Sequence, residues 1–192
     1  MLFINVTCGI AVLAVAKPLA VESIGISQTA AAALVGAIGV FNGLGRIGWA
    51  SASDYIGRPN TYTAFFVLQI VIFFLLPNVS IKWLFVVMLT IVYTCYGGGF
   101  ACIPAYIGDL FGTKQLGAIH GYILTAWAAA GLVGPMFAAY IKDTTGSYEG
   151  SLAFFGGLFV IAFIISLLVR VDIRRLRARH ESIAYVSAAK ER

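Results

Sequence analysis

The sequence predicts an all-α membrane protein, a bundle of six transmembrane helices. Three observations carry this. First, 60% of the 192 residues are hydrophobic and 11% are charged, against roughly 45–50% and about 25% in a soluble domain; mean hydropathy is +0.93. Second, the apolar residues fall into six continuous runs separated by short polar punctuation, without the period-two alternation of barrel strands. Third, a helix needs about 20 apolar residues to cross roughly 30 Å of hydrocarbon, so the chain holds six spans and little else. These observations exclude a disordered chain, a nucleic-acid-binding domain and an ordinary soluble enzyme.

The runs in order are 2–19, 30–51, 61–76, 83–107, 118–140 and 151–169. Lipid offers no hydrogen-bond partners, so each must be helical. The first closes near Lys17-Pro18 and the third at Pro77-Asn78; the fourth contains Gly97-Gly98-Gly99 and Pro104. Ala14-Val15-Ala16 looks like a signal-peptide cleavage site, but no basic residue precedes the first run and five spans follow it, which argues for a retained span. Residues 1–169 are thus a six-helix transmembrane bundle and 170–192 a basic tail. The chain begins inside an apolar run.

Basic residues set the orientation. Arg58, Lys114 and the seven basic residues of the tail (Arg170, Arg174, Arg175, Arg177, Arg179, Lys190 and Arg192) share one side; Lys17, Lys82 and Lys142 share the other. Both termini are therefore expected in the cytoplasm, the protein being multi-pass in the plasma membrane. The tail is a topology signal, with membrane lipid as a further contact. Cys8, Cys95 and Cys102 lie in apolar runs without C-x-x-C spacing, so no disulfide framework is expected. With two histidines, one of them His180 in the tail, neither a metal site nor a cofactor is expected.

Gly43-Leu44-Gly45-Arg46-Ile47-Gly48 matches the dinucleotide pattern G-x-G-x-x-G, but inside an apolar helix rather than after a strand. Here the glycines read as helix-packing positions: Gly39 with Gly43, and Gly117 with Gly121, are spaced for close helix approach, with Ala126, Ala130 and Gly134 extending the second ridge.

Packing does not explain Arg46. A guanidinium at the centre of a span costs about 2.5–3.5 kcal/mol on insertion scales. No acidic residue lies within the six runs, and Asp109 stands at the edge of the fourth. An arginine fork matches a carboxylate, so Arg46 is an anion-site candidate; the alternative is a structural arginine held by backbone carbonyls. Asn42, Tyr93, Tyr96, His120, Thr125 and Trp127 complete the candidate substrate-binding set. Polar residues gather in spans one, two, four and five, including Asn5 and Thr7, which are expected to share a cavity while spans three and six face lipid. His120 is either a proton-sensitive group near that cavity or a histidine bonded to a neighbouring helix. No nucleophile–histidine pair or paired carboxylates suggest an enzyme.

Between spans two and three, Gly48-Trp49-Ala50-Ser51-Ala52-Ser53-Asp54-Tyr55-Ile56-Gly57-Arg58 resembles the short cytoplasmic loop signature of the major facilitator superfamily, G-x-x-x-D-R-x-G-R. Asp54, Gly57 and Arg58 match; Tyr55 replaces the signature's first arginine. The run Asn42-Gly43-Leu44-Gly45-Arg46, and His120-Gly121 through Trp127 to Gly134-Pro135, are similar to the oxalate/formate antiporter family. The resemblance covers all six spans as the C-terminal half, spans 7–12, of a twelve-span carrier. It implies alternating-access transport of small carboxylates, with Arg46 holding the anion and Asp54, Gly57 and Arg58 forming a gating loop. Some members carry a second cation in the penultimate span. None stands in the middle of span five here, which favours a monocarboxylate, moved by antiport or with a proton. The implied partner is an N-terminal six-helix half. A fragment of a longer chain is ranked first, a separately encoded half second and a homodimer third. The rival reading is a non-transporting fragment or a membrane interaction subunit.

Overall fold

The computed structural model describes the backbone of residues 1–190 and the side chains of residues 1–176. Arg177, Arg179, His180, Lys190 and Arg192, all assigned to the tail, have side chains outside the described residues. Six helices follow one another: α1 (Leu2–Ile24), α2 (Gln28–Ile56), α3 (Arg58–Leu75), α4 (Lys82–Phe111), α5 (Leu116–Thr145) and α6 (Glu149–Lys190), with a single 3-10 turn at Leu76–Asn78 after α3. All six are long and apolar enough to cross a membrane.

The helices overrun the apolar runs, for local reasons. Pro18 does not end α1. It lies inside the helix, which continues to Ile24 and stops at Gly25, whose φ of 60° permits the left-handed cap. Ser27 then caps α2 by accepting from the Ala30 N–H at 3.2 Å. Asp54 lies in the last turn of α2, not in a loop, and the junction to α3 is Gly57 alone, at φ 85°. Pro59 follows in the first turn of α3, where a missing N–H costs nothing. The backbone has no break at 169/170, because α6 runs through it.

The main helix contacts are α2 on α4, α1 on α5 and α3 on α6. Between apolar helices in lipid there is no hydrophobic drive, so close packing and hydrogen bonds hold the bundle. Phe73 of α3 meets Phe159 of α6 at 5.0 Å in T geometry, and Phe66 meets the same ring at 6.3 Å. Gly45 and Gly97 bring α2 against α4: a Cβ on Gly45 would lie 2.5 Å from the Thr94 backbone, and one on Gly97 would lie 2.2 Å from the Asn42 carbonyl oxygen. Gly134 does the same for α5 on α1, 2.4 Å from the Thr7 carbonyl oxygen. Gly39, Gly43, Gly117 and Gly121 behave differently from expectation. All four face open space, because spacing fixes which residues share a helix face but not which face meets a neighbour.

That open face belongs to α2 and α5. Val40, Leu44 and Ile47 of α2 are exposed, as are Tyr122, Leu132 and Met136 of α5; in α5 only Ala130, Gly134 and Ala138 are buried. The expected split of polar and lipid-facing spans needs correction. Asn5 of α1 turns inward and accepts from the Gln69 amide of α3 at 3.0 Å, both residues fully buried. Thr7 is also buried, its hydroxyl donating to the Phe3 carbonyl.

At the two ends of the bundle charges tie helices together. At one, Arg58 pairs with Asp54 at 2.6 Å and with Asp109 of α4 at 3.5 Å, and donates to the Ser53 carbonyl at 3.0 Å. Nearby, Arg170 reaches from α6 to the Thr63 hydroxyl and the Pro59 carbonyl of α3. At the other, Lys142 of α5 pairs with Glu22 of α1 and lies 4.4 Å from the centre of the Tyr148 ring.

Candidate functional site

Arg46 lies about ten residues before the end of α2, or roughly 15 Å of helical rise, half of the roughly 30 Å hydrocarbon thickness. Its side chain is exposed on the open face. None of the ion pairs among the described residues includes it. The guanidinium carbon lies 5.4 Å from the centre of the Phe100 ring, within the range of cation–π attraction. Phe100 in turn meets Trp127 of α5 edge-on at 6.2 Å. Backbone contact between α2 and α4 holds Arg46 over that ring: Gly97, three residues before Phe100, leaves the space into which the Arg46 Cγ and the Asn42 carbonyl pack.

The other candidates divide. Asn42 donates its amide to the Tyr93 carbonyl at 3.3 Å, fixing α2 on α4 one turn before Arg46. Tyr96 is half-buried, its ring against Gly9 of α1. Trp127 is exposed on the Arg46 side. Thr125 is also exposed, but its hydroxyl proton goes to the Tyr122 carbonyl at 2.7 Å, which leaves it an acceptor. Tyr93 leaves the binding set. It is 1% exposed, and its hydroxyl turns to the Gly9 carbonyl at 3.5 Å in the α1–α4 contact. His120 sits in the second turn of α5, about 10 Å nearer the Arg58 end than Arg46 by helical rise. It is half-buried, and its Nδ1 has no hydrogen-bond partner among the described residues. The structure thus gathers Arg46, Asn42, Tyr96 and Trp127, with Thr125 at similar depth and His120 apart.

A mid-span guanidinium on the open face of six helices paired 1–5, 2–4 and 3–6 can be set beside known proteins. The family model of the Major Facilitator Superfamily matches residues 1–187. The chain belongs to that superfamily. It is therefore an integral, multi-pass membrane protein of a transporter family, with half of the major facilitator fold.

Among curated relatives, the chain is 32% identical over 109 residues to the oxalate:formate antiporter of Oxalobacter formigenes, covering 56% of this chain and 26% of that protein. It is 26% identical over 155 residues to monocarboxylate transporter 12 of Xenopus laevis, covering 78% of this chain and 33% of that protein. A 39-residue stretch is 49% identical to a putative tartrate transporter of Agrobacterium vitis, covering 20% of this chain and 9% of that protein. The chain thus spans about a third or less of the length of these superfamily members.

Sequence reasoning missed Phe100, since a phenylalanine in an apolar run looks like any other. The signal was the adjoining Gly97-Gly98-Gly99. Each glycine packs on a different partner: Gly97 on Asn42, Gly98 on Trp49 and Gly99 on Asn5. Such contacts locate a residue at the meeting of three helices. Asp109, noticed only as an acid at a span edge, is the second carboxylate on Arg58.

Proposed function

We propose that the chain is one half of a secondary-active carrier for small carboxylate anions, monocarboxylates foremost, working by alternating access in the plasma membrane with both termini cytoplasmic. The observation that carries this is Arg46: a mid-span guanidinium, exposed on the open face, backed by an aromatic ring instead of a carboxylate. Two parallel hydrogen bonds from its fork fit one carboxylate. The Phe100 ring behind it is apolar, so the charge gains the anion without competition from a resident acid. A second carboxylate on the substrate would meet no second cation among the candidate residues and would stay unpaired in a low-dielectric site. The oxalate:formate antiporter and monocarboxylate transporter among the relatives agree with this substrate class.

The N-terminal half, in the same chain or as a separate subunit, would cover the α2–α5 face, with substrate between the halves near the midplane. Gly39, Gly43, Gly117 and Gly121 lie ready for close approach there. Asp54, Gly57 and Arg58 would act at the cytoplasmic end as a gating element, and His120, nearer that end, would carry any proton coupling. The test is uptake of labelled formate, lactate, pyruvate and oxalate into proteoliposomes, with and without a pH gradient. Monocarboxylates should exceed oxalate. Arg46→Lys should impair uptake, since a point charge does not replace the fork, and Arg46→Gln should abolish it with protein still in the membrane. Normal uptake by Arg46→Gln would refute the anchoring role, and a stable 192-residue monomer that transports would refute the half-carrier.

A further inference from the structure

Pro104 stands inside α4 and has no N–H, so the Phe100 carbonyl one turn earlier loses its intrahelical donor. Gly97-Gly98-Gly99 precede Phe100 on the other side, and glycine is the poorest helix former after proline. The turn that carries Phe100 is therefore one that α4 specifies weakly by itself, yet its ring is what stands behind Arg46. We propose that Tyr62 of α3 is a positioning residue of the carboxylate site: its hydroxyl, bonded to the Gly99 carbonyl, holds the Phe100 ring beneath the Arg46 guanidinium. This role rests on the carboxylate reading, and Tyr62 lies outside the candidate binding set.

Tyr62 spans the proline. Its hydroxyl donates to the Gly99 carbonyl, before Pro104, and its ring lies 5.6 Å from that of Tyr106, after it. Gly99 and Tyr106 are two helical turns apart on one face of α4, so a single side chain touches both segments that the missing hydrogen bond separates. Among the described residues, no other side chain donates to the backbone of residues 97–104. Tyr62 is itself fixed. It is fully buried, with Phe65 edge-on at 5.5 Å and Phe66 at 6.1 Å. In that aromatic surround its hydroxyl cannot leave Gly99 without losing its partner.

The bond acts through Phe100. Gly99 and Phe100 share a peptide group, so the place of the Gly99 carbonyl sets the place of the Phe100 ring. That ring lies 5.4 Å from the Arg46 guanidinium carbon and 6.2 Å from the Trp127 ring. Cation–π attraction holds within about 6 Å of the ring centre, so a retreat of about 1 Å takes the guanidinium out of range. Arg46 has no acidic partner among the described residues and would then be unrestrained. Each incoming anion would have to order a long side chain, which weakens binding by about 2- to 13-fold. Tyr62, being fully buried, does not meet the anion itself.

The first readout needs no carboxylate. The 192-residue chain, labelled with 5-fluorotryptophan and held in lipid nanodiscs, is examined by fluorine NMR, the Trp127 signal being assigned by its loss in Trp127→Phe. Phe100→Leu should move that signal, and Tyr62→Phe should move it the same way. Gly99→Ala, whose Cβ would stand 2.4 Å from the Asn5 amide, displaces the same turn from the α1 side and should do likewise. Thr63→Val, next to Tyr62 in α3 but directed at Ser166 of α6, should not. The second readout is formate uptake by the complete carrier that contains this chain. Tyr62→Phe should raise KM about 2- to 13-fold with the maximal rate per folded carrier unchanged, and should add nothing in a Phe100→Leu background. Helical circular dichroism establishes which variants are folded. A Trp127 signal that Tyr62→Phe leaves in place would overturn the proposal. So would an unchanged KM in a carrier that Arg46→Gln inactivates, a KM raised equally with and without the Phe100 ring, or Thr63→Val moving both readouts as far. Normal uptake by Arg46→Gln would instead refute the carboxylate reading, and the Trp127 signal would still decide whether Tyr62 sets the ring.

Discussion

Adding one methyl group to Gly45 tests the α2–α4 contact that places Arg46. A Cβ there would stand 2.5 Å from both the Cα and the carbonyl oxygen of Thr94. Those are backbone atoms, so no rotamer change relieves the clash and the helices must separate. Overpacking of this kind costs about 1–3 kcal/mol. Gly43, two residues earlier on the same helix, has open space where its Cβ would go. Both substitutions gain the same helix propensity, about 1 kcal/mol, so the difference between Gly45→Ala and Gly43→Ala isolates the contact. Gly45→Ala should be less stable than Gly43→Ala by about 1–3 kcal/mol, a factor of roughly 5 to 160 in the folding equilibrium. The assay is reversible unfolding in mixed micelles by titrated sodium dodecyl sulfate, followed by tryptophan fluorescence. Trp49 reports directly, because its indole donates to the Thr94 hydroxyl at 3.3 Å across the same contact. Equal stability of the two variants would show that the helices do not meet where the structure places them.

Three further outcomes are expected. Asp109→Asn or Asp54→Asn should change stability by less than about 1 kcal/mol, since both carboxylates are largely exposed and such pairs are weak. Either should slow conformational exchange more than it weakens substrate binding, as read by exchange and binding assays on one preparation; lost affinity with normal turnover would contradict the gating role. A cysteine at Thr145 should react with an impermeant maleimide from outside the cell and one at Asn60 should not; the reverse pattern would invert the topology. Thr63→Val removes the hydroxyl that meets both Arg170 and Ser166, and should cost about 1–3 kcal/mol in the same unfolding assay by leaving polar partners unmatched.

The six spans and their order were legible because lipid forces long apolar runs to be helical, and no tertiary information is needed for that. Helix ends were not. Ser53-Asp54-Tyr55 looks like a loop by polarity, yet α2 carries through it, since Asp54 pairs with Arg58 across Gly57. Arg46 was legible because its insertion cost demands a reason. Its surroundings were legible only in part. Asn42 lies one turn before Arg46 and Trp127 is exposed on the same side, whereas Tyr93 turns to Gly9, because a tyrosine in a helix shows its depth and not its direction. The buried pair of Gln69 and Asn5 was not legible, because the two stand 64 positions apart and no spacing rule spans that distance.

The pairing of α1 with α5, α2 with α4 and α3 with α6 bears on how the protein is made. None of these pairs is a hairpin of consecutive helices, so α1, α2 and α3 each wait for a main neighbour that is made later. At about 5–20 residues per second, the stretch from Ile24 to Thr145 takes roughly 6–24 s to synthesise. For that interval α1 waits without the helix that Gly134 brings against its Thr7 carbonyl. The Asn5 amide waits a shorter time for Gln69. Nascent α1 therefore carries the Asn5 side chain in the bilayer without its Gln69 donor, and in that interval the translocon or an insertion chaperone has the most to shield.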